Sequence, residues 1–161
     1  MVKIGLDTSC LNVKGKHNIL NKLENLGKKS KILLITSTVN EKGQEISNKN
    51  DFYKSKYLEK INQKEKIFEV GRYGISRFGK AVFGDDNKCN ELDKLFPDKK
   101  DFYDLWLLQT ACTGKCDYFL TLNSRDFIDN VKKEKIENLA IKIRLPNEEF
   151  LDELNEIISK S

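Results

Sequence analysis

The stretch from Asp101 to Phe127, DFYDLWLLQTACTGKCDYFLTLNSRDF, constrains the fold more than any other part of the chain. Apolar residues at helical spacing predict an amphipathic helix over Asp101–Cys112 that buries Phe102, Leu105, Leu108 and Ala111. Gly114 marks its end, and Tyr118–Leu122 reads as a short buried strand after a tight turn. Asp101 and Asp104 stand one helical turn apart, so their carboxylates share a face. Asn123 and Asp126 follow just beyond the C-terminal end of the strand, and in an open parallel sheet that edge is where ligands bind.

The same alternation continues elsewhere. Val2–Leu6 is a mainly apolar run ending at Asp7, and Lys31–Thr36 (KILLIT) is a second strand. Between them Ile19, Leu20, Leu23 and Leu26 recur at helical spacing, with Gly27 as the expected C-cap. Ser37 or Thr38 is placed to cap a helix carrying Val39, Glu41, Glu45 and Ile46. A charged helix is expected from Asp51 to about Lys66, then a brief strand over Ile67–Val70. Gly71–Gly84 carries four glycines and reads as a loop, followed by a short helix over Asn87–Phe96. Leu139–Ile143 reads as the final strand. Pro146 and Asn147 then open a helix whose stripe is Phe150, Leu151, Leu154, Ile157 and Ile158. Strands alternating with helices argue for an α/β fold with a mainly parallel sheet covered on both faces.

At 161 residues the expectation is one domain, spanning residues 1–161, with a sizeable core. No apolar run approaches the ~18 residues of a membrane span. The opening MVKIGLDTS is too short in apolar residues for a signal peptide, so a cytoplasmic protein is expected. The net charge of +4 is compatible with a nucleic-acid partner without requiring one. Cys10, Cys89, Cys112 and Cys116 lack the paired spacing of a zinc site and read as free thiols. The single His17 reads as a surface helix residue, which leaves little room for histidine-based catalysis.

Acids carry the chemistry instead. Asp7, Glu41 or Glu45, Asp104 and Asp126 each fall at a strand end or in a helix near one. Hard oxygen ligands in that pattern suit Mg²⁺ or Mn²⁺, and clustered carboxylates repel one another unless a cation joins them. The plainer reading of any one acid is a cap or a solvated charge, and Asp7 in particular is placed to cap the turn that holds Thr8 and Ser9. In the glycine-rich segment, Arg72, Tyr73, Arg77, Phe78 and Lys80 have the types needed to contact phosphates and stack on bases. A loop with its charges in water and its aromatics on the body explains the same letters. Trp106 reads as core.

In combination, these pieces resemble the PIN-domain family of metal-dependent nucleases. The resemblance is carried by KIGLDTSCL, ITSTVNE, DLWLLQTACTGKCDYFLTLNSRDF and IKIRLPNEEFLDEL, and leaves a variable insertion at about 47–96 without a counterpart. It implies a PIN-like three-layer α/β/α sandwich and metal-site acids at Asp7, Glu41, Asp104 and Asp126. Asn123 stands near the strand end where many members carry an acid; other members have an Asn there, with the acid in the Asp-Phe pair. Substrate contacts are expected from Arg72, Arg77 and Lys80. The implied activity is an Mg²⁺- or Mn²⁺-dependent endoribonuclease acting on RNA. VapC-like toxins paired with an antitoxin protein, enzymes that process ribosomal or transfer RNA, and homodimers are all compatible with that activity. The competing expectation is a catalytically inactive PIN-like module that binds RNA or protein. A DNA flap nuclease uses similar acids but needs clamping helices for which the chain is short.

Overall fold

The strand β1 (Val2–Leu6) lies in the middle of a five-stranded sheet with β2 (Ile32–Ser37) on one side and β6 (Tyr118–Leu120) on the other. β3 (Lys66–Ile67) extends the sheet beyond β2, and β7 (Lys142–Arg144) extends it beyond β6. All four pairings are parallel. This is a computed structural model describing residues 1–13, 16–37, 66–67, 69–70, 81–82, 86–96, 102–123, 127, 130–139 and 141–160. Two further short strands, β4 (Glu69–Val70) and β5 (Ala81–Val82), pair in parallel apart from the main sheet.

Side chains alternate across the sheet as the pleat requires. On one face Ile4, Leu6, Ile32, Leu34, Tyr118 and Leu120 form a single cluster with three helices. These helices are α1 (Thr8–Asn12), α2 (Asn18–Lys28) and α6 (Glu148–Ser159). They contribute residues including Leu11, Leu20, Leu23, Phe150 and Leu154. On the other face Ile35, Phe119 and Ile143 pack with α3 (Asp86–Leu95), α4 (Phe102–Thr113) and α5 (Asn130–Leu139). The expected α/β architecture with a parallel sheet between helices is present.

Several local expectations need correction. The helix α2 runs through Gly27 and ends with Ser30 in the left-handed region at φ 54°. The Ser30 N–H donates to the Gly27 carbonyl and the Lys31 N–H to the Leu26 carbonyl, the pair of bonds that closes a Schellman C-terminus. The helix α4 ends the same way: Lys115, at φ 55°, donates to Cys112, and Cys116 donates to Ala111. In both cases a residue with a side chain takes the position glycine favours. His17 is the N-cap residue of α2 rather than a position on its exposed face.

The stretch over Asn130–Leu139 is a helix that the apolar pattern does not announce, and the last strand starts at Lys142 rather than Leu139. The strand β6 likewise stops at Leu120. Within the glycine-rich segment, Ala81–Val82 is a strand. The helix expected from Ser37 or Thr38 lies outside the described residues. So does nearly all of the charged helix over Asp51–Lys66.

The helix α4 is not amphipathic. Leu105 through Ala111 are all buried, Gln109 and Thr110 included. The amide Nε2 of Gln109 donates to Asp93 Oδ1 in α3 at 3.0 Å, and Thr110 Oγ1 donates to the Trp106 carbonyl at 2.8 Å. These bonds offset the cost of burying polar groups. Trp106, 1% exposed, is core as expected.

Close packing of α4 on β1 depends on Gly5. A Cβ there would lie 3.2 Å from Ala111 Cβ and 3.4 Å from Cys116 Sγ. Gly5→Val forces α4 off the sheet and is expected to cost about 2–3 kcal/mol, the usual penalty of overpacking. Chemical denaturation checks this, and a stability equal to wild type would show that α4 moves freely.

Candidate functional site

The strand order reverses beside β1. The chain leaves β1 for β2 and β3 on one side and returns to β6 and β7 on the other. A crevice between the C-terminal ends of β1 and β6 is the position where open parallel sheets bind ligands. Asp7 ends β1 there, and Thr121, Leu122 and Asn123 follow β6 there.

Asp7 is 3% exposed and is the N-cap residue of α1. Its Oδ1 accepts the Thr8 N–H at 2.7 Å. Its Oδ2 accepts two hydroxyls, Ser9 Oγ at 2.5 Å and Thr121 Oγ1 at 2.7 Å. Each hydroxyl in turn accepts a backbone N–H from the loop after β6: Leu122 N–H donates to Ser9 Oγ and Asn123 N–H donates to Thr121 Oγ1, both at 2.9 Å. The Asp7 N–H donates to the Leu120 carbonyl, also at 2.9 Å. Two hydroxyls therefore act as relays that tie one carboxylate to the ends of both strands. Bonds to a charged acceptor are the stronger kind, and inside a protein they gain from the low dielectric.

The neighbouring Cys10 is buried, with its thiol 3.4 Å from the Leu120 carbonyl oxygen. Burial first, and the Asp7 charge second, push this thiol well above its ordinary pKa. It stays protonated and is unsuited to act as a nucleophile.

Asp104 lies in the first turn of α4, where the positive end of the helix dipole favours an anion. The course of α4 follows from its contacts. Ala111 sits over Gly5, and Leu107 lines a small crevice with Leu6, Ile35 and Thr36, further toward the C-terminal ends of the strands. Asp104 is one helical turn beyond Leu107, about 5 Å further along the helix axis. That course sets the first turn of α4, with the half-buried Asp104, on the side of the C-terminal strand ends.

Of the residues the sequence marks, Asp7 and the backbone N–H of Asn123 join one hydrogen-bond network, and Asp104 stands in the first turn of α4. Glu41, Asp126, Arg72, Arg77 and Lys80 lie outside the described residues. Phe127, directly after Asp126, is buried against Phe119 and Phe96 with ring centroids 5.5 and 5.9 Å away. Thr121 carries no functional mark in the sequence beyond its place at a strand end, yet it links the two halves of the site. Ser9 could be marked only as a hydroxyl near Asp7.

By residue type, the carboxylates of Asp7 and Asp104 and the side-chain amide of Asn123 suit a hard divalent cation. Among the described residues no group of three or more His, Cys, Asp or Glu side chains converges as a metal site. Neither models of known protein families nor curated proteins match this chain. No helix among the described residues is long and apolar enough to cross a membrane.

Proposed function

We propose that this chain is a PIN-like, Mg²⁺- or Mn²⁺-dependent endoribonuclease, with its site at the C-terminal ends of β1 and β6. The observation that carries the reading is the buried Asp7 carboxylate at the sheet's switch point, held by Ser9 and Thr121. Asp104, delivered to the same edge by α4, supports it. In this reading the fold is the PIN-like three-layer sandwich, and Glu41 and Asp126 complete the acidic set.

Asp7, Asp104 and Asn123 are the described residues that would hold the cation, and the family resemblance adds Glu41 and Asp126 to them. A bound Mg²⁺ or Mn²⁺ supplies an activated water and offsets charge on phosphate oxygens. The chain's own residues do the rest. Ser9 and Thr121 fix the Asp7 carboxylate in one orientation, so no reorganisation is needed when the phosphodiester arrives. Buried Leu120 and Cys10 beneath Asp7 keep bulk water from its inner side. Asn123 brings a dipole without charge, which lowers the total negative charge that an incoming phosphate meets. Arg72, Arg77 and Lys80 are the proposed contacts to the RNA backbone. A toxin neutralised by an antitoxin and an RNA-processing enzyme share this chemistry.

One observation favours a second reading. The Asp7 carboxylate also works as a structural staple, capping α1 and tying β1 to β6, as a non-catalytic PIN-like module that binds RNA or protein would use it. Incubation with a panel of single-stranded RNA, structured RNA and DNA in Mn²⁺, Mg²⁺ or EDTA separates the two. RNA cleavage that needs metal and stops in EDTA is expected. Intact RNA under every condition sinks the nuclease reading and leaves the module.

A further inference from the structure

The strand β7 is the last strand of the sheet as described, so one of its sides has no strand beside it among the described residues. Along a parallel strand, alternate residues turn their N–H and C=O to opposite sides. Lys142 and Arg144 turn toward β6: the Lys142 N–H donates to the Asp117 carbonyl, and the Arg144 carbonyl accepts the Thr121 N–H at 3.2 Å. Ile143 therefore turns its two backbone groups outward. Both are occupied by side chains of the same molecule. Its N–H donates to Glu137 Oε1 at 3.2 Å, and its carbonyl accepts Arg144 Nη1 at 2.9 Å.

Glu137 and Arg144 are ion-paired with each other, across from α5 to β7. Arg144 is also held from α6 by Glu153, Nε to Oε2 at 2.9 Å, and Glu153 accepts the Tyr118 hydroxyl at 2.9 Å. Partly exposed ion pairs contribute little to stability, whereas an open strand edge is a template for association. The arrangement is thus better explained by what it covers than by what it stabilises.

We propose that Glu137 and Arg144 form a guard over the outward backbone of Ile143, which keeps a second copy of this chain from adding its own β7 to the sheet. A second copy fits this edge because Ile143 is the middle residue of a three-residue strand. Two copies related by a two-fold axis would exchange both backbone bonds between their Ile143 residues in antiparallel pairing. In that pairing Lys142 of one copy lies opposite Arg144 of the other, and like charges across strands oppose it. Arg144 therefore blocks association in two ways, by occupying the Ile143 carbonyl and by its charge.

Sedimentation velocity of the full chain tests this, with wild type, Glu137→Gln and the Glu137→Ala, Arg144→Thr double variant over a concentration series. The glutamine keeps an acceptor for the Ile143 N–H and is expected to sediment as wild type. The double variant is expected to form larger species as concentration rises, with its Ile143 amide exchanging fast when dilute and slowly when associated. A folded double variant that sediments as wild type throughout overturns the proposal, as does association that leaves the Ile143 amide fast. Should the double variant unfold, Glu137→Ala decides, because it leaves the Arg144–Glu153 pair in place. Its Ile143 amide is expected to exchange about tenfold faster than in wild type or more, and an unchanged rate overturns the guard.

Discussion

Asp104→Asn is expected to lower metal-dependent RNA cleavage by about 10²–10³-fold, the size of loss when one preorganised electrostatic contact to a transition state is removed. The change keeps shape and volume while removing one charge. Its effect on folding should be small because two contributions oppose each other. Losing a carboxylate from the first turn of α4 costs roughly 0.3–1 kcal/mol of favourable helix-dipole interaction. In the proposed site, removing one of several acids relieves their mutual repulsion. Single-turnover cleavage measured beside thermal melting separates activity from stability. Wild-type cleavage by Asp104→Asn would exclude Asp104 from the proposed site.

Asp7→Ala is expected to destabilise the fold by about 2–4 kcal/mol, because it strands several buried donors at once. The Thr8 N–H, the Ser9 hydroxyl and the Thr121 hydroxyl all lose their acceptor. Ser9 Oγ and Thr121 Oγ1 lie 3.5 Å apart, so one can turn to the other and recover part of the loss. Equilibrium denaturation measures the cost, and a change below about 1 kcal/mol would mean that water enters and replaces the carboxylate. The same residue also distinguishes the two functional readings. If the site binds Mn²⁺, the ion raises wild-type stability by RT ln(1 + [L]/Kd), and the gain disappears in an Asp7→Asn, Asp104→Asn double variant. A staple without a metal role predicts the stability loss of Asp7→Ala together with no Mn²⁺ stabilisation of wild type.

Elements whose information is local were legible in the amino-acid order. β1 and β2 are short apolar runs, and α6 combines a capping Asn147, whose side chain accepts the Phe150 N–H at 2.9 Å, with a stripe at helical spacing. Asp7 was legible as an acid at a strand end. Elements whose information lies in their neighbours were not. The helix α5, NVKKEKIENL, shows a single fully buried apolar side chain, Ile136, among its described ones. One anchor makes no periodic signal. In α4 the apolar residues suggested one buried face, whereas the sheet, α3 and β4 enclose the helix and bury its polar Gln109 and Thr110 as well.

The end of α2 was placed early because a Schellman closure needs a left-handed residue, and packing put Ser30 there instead of glycine; α4 does stop at the expected Gly114 and closes in the same way through Lys115. The deepest limit concerns the site. Asp7 and Thr121 bond across 114 positions of sequence, and nothing in either neighbourhood specifies the other. Local chemistry determined that β1 would end in an acid and that a hydroxyl, Thr121, would stand near the end of β6. Only the sheet order decided that those two ends are adjacent, because parallel pairing is set by how helices pack on both faces rather than by any pattern within a strand.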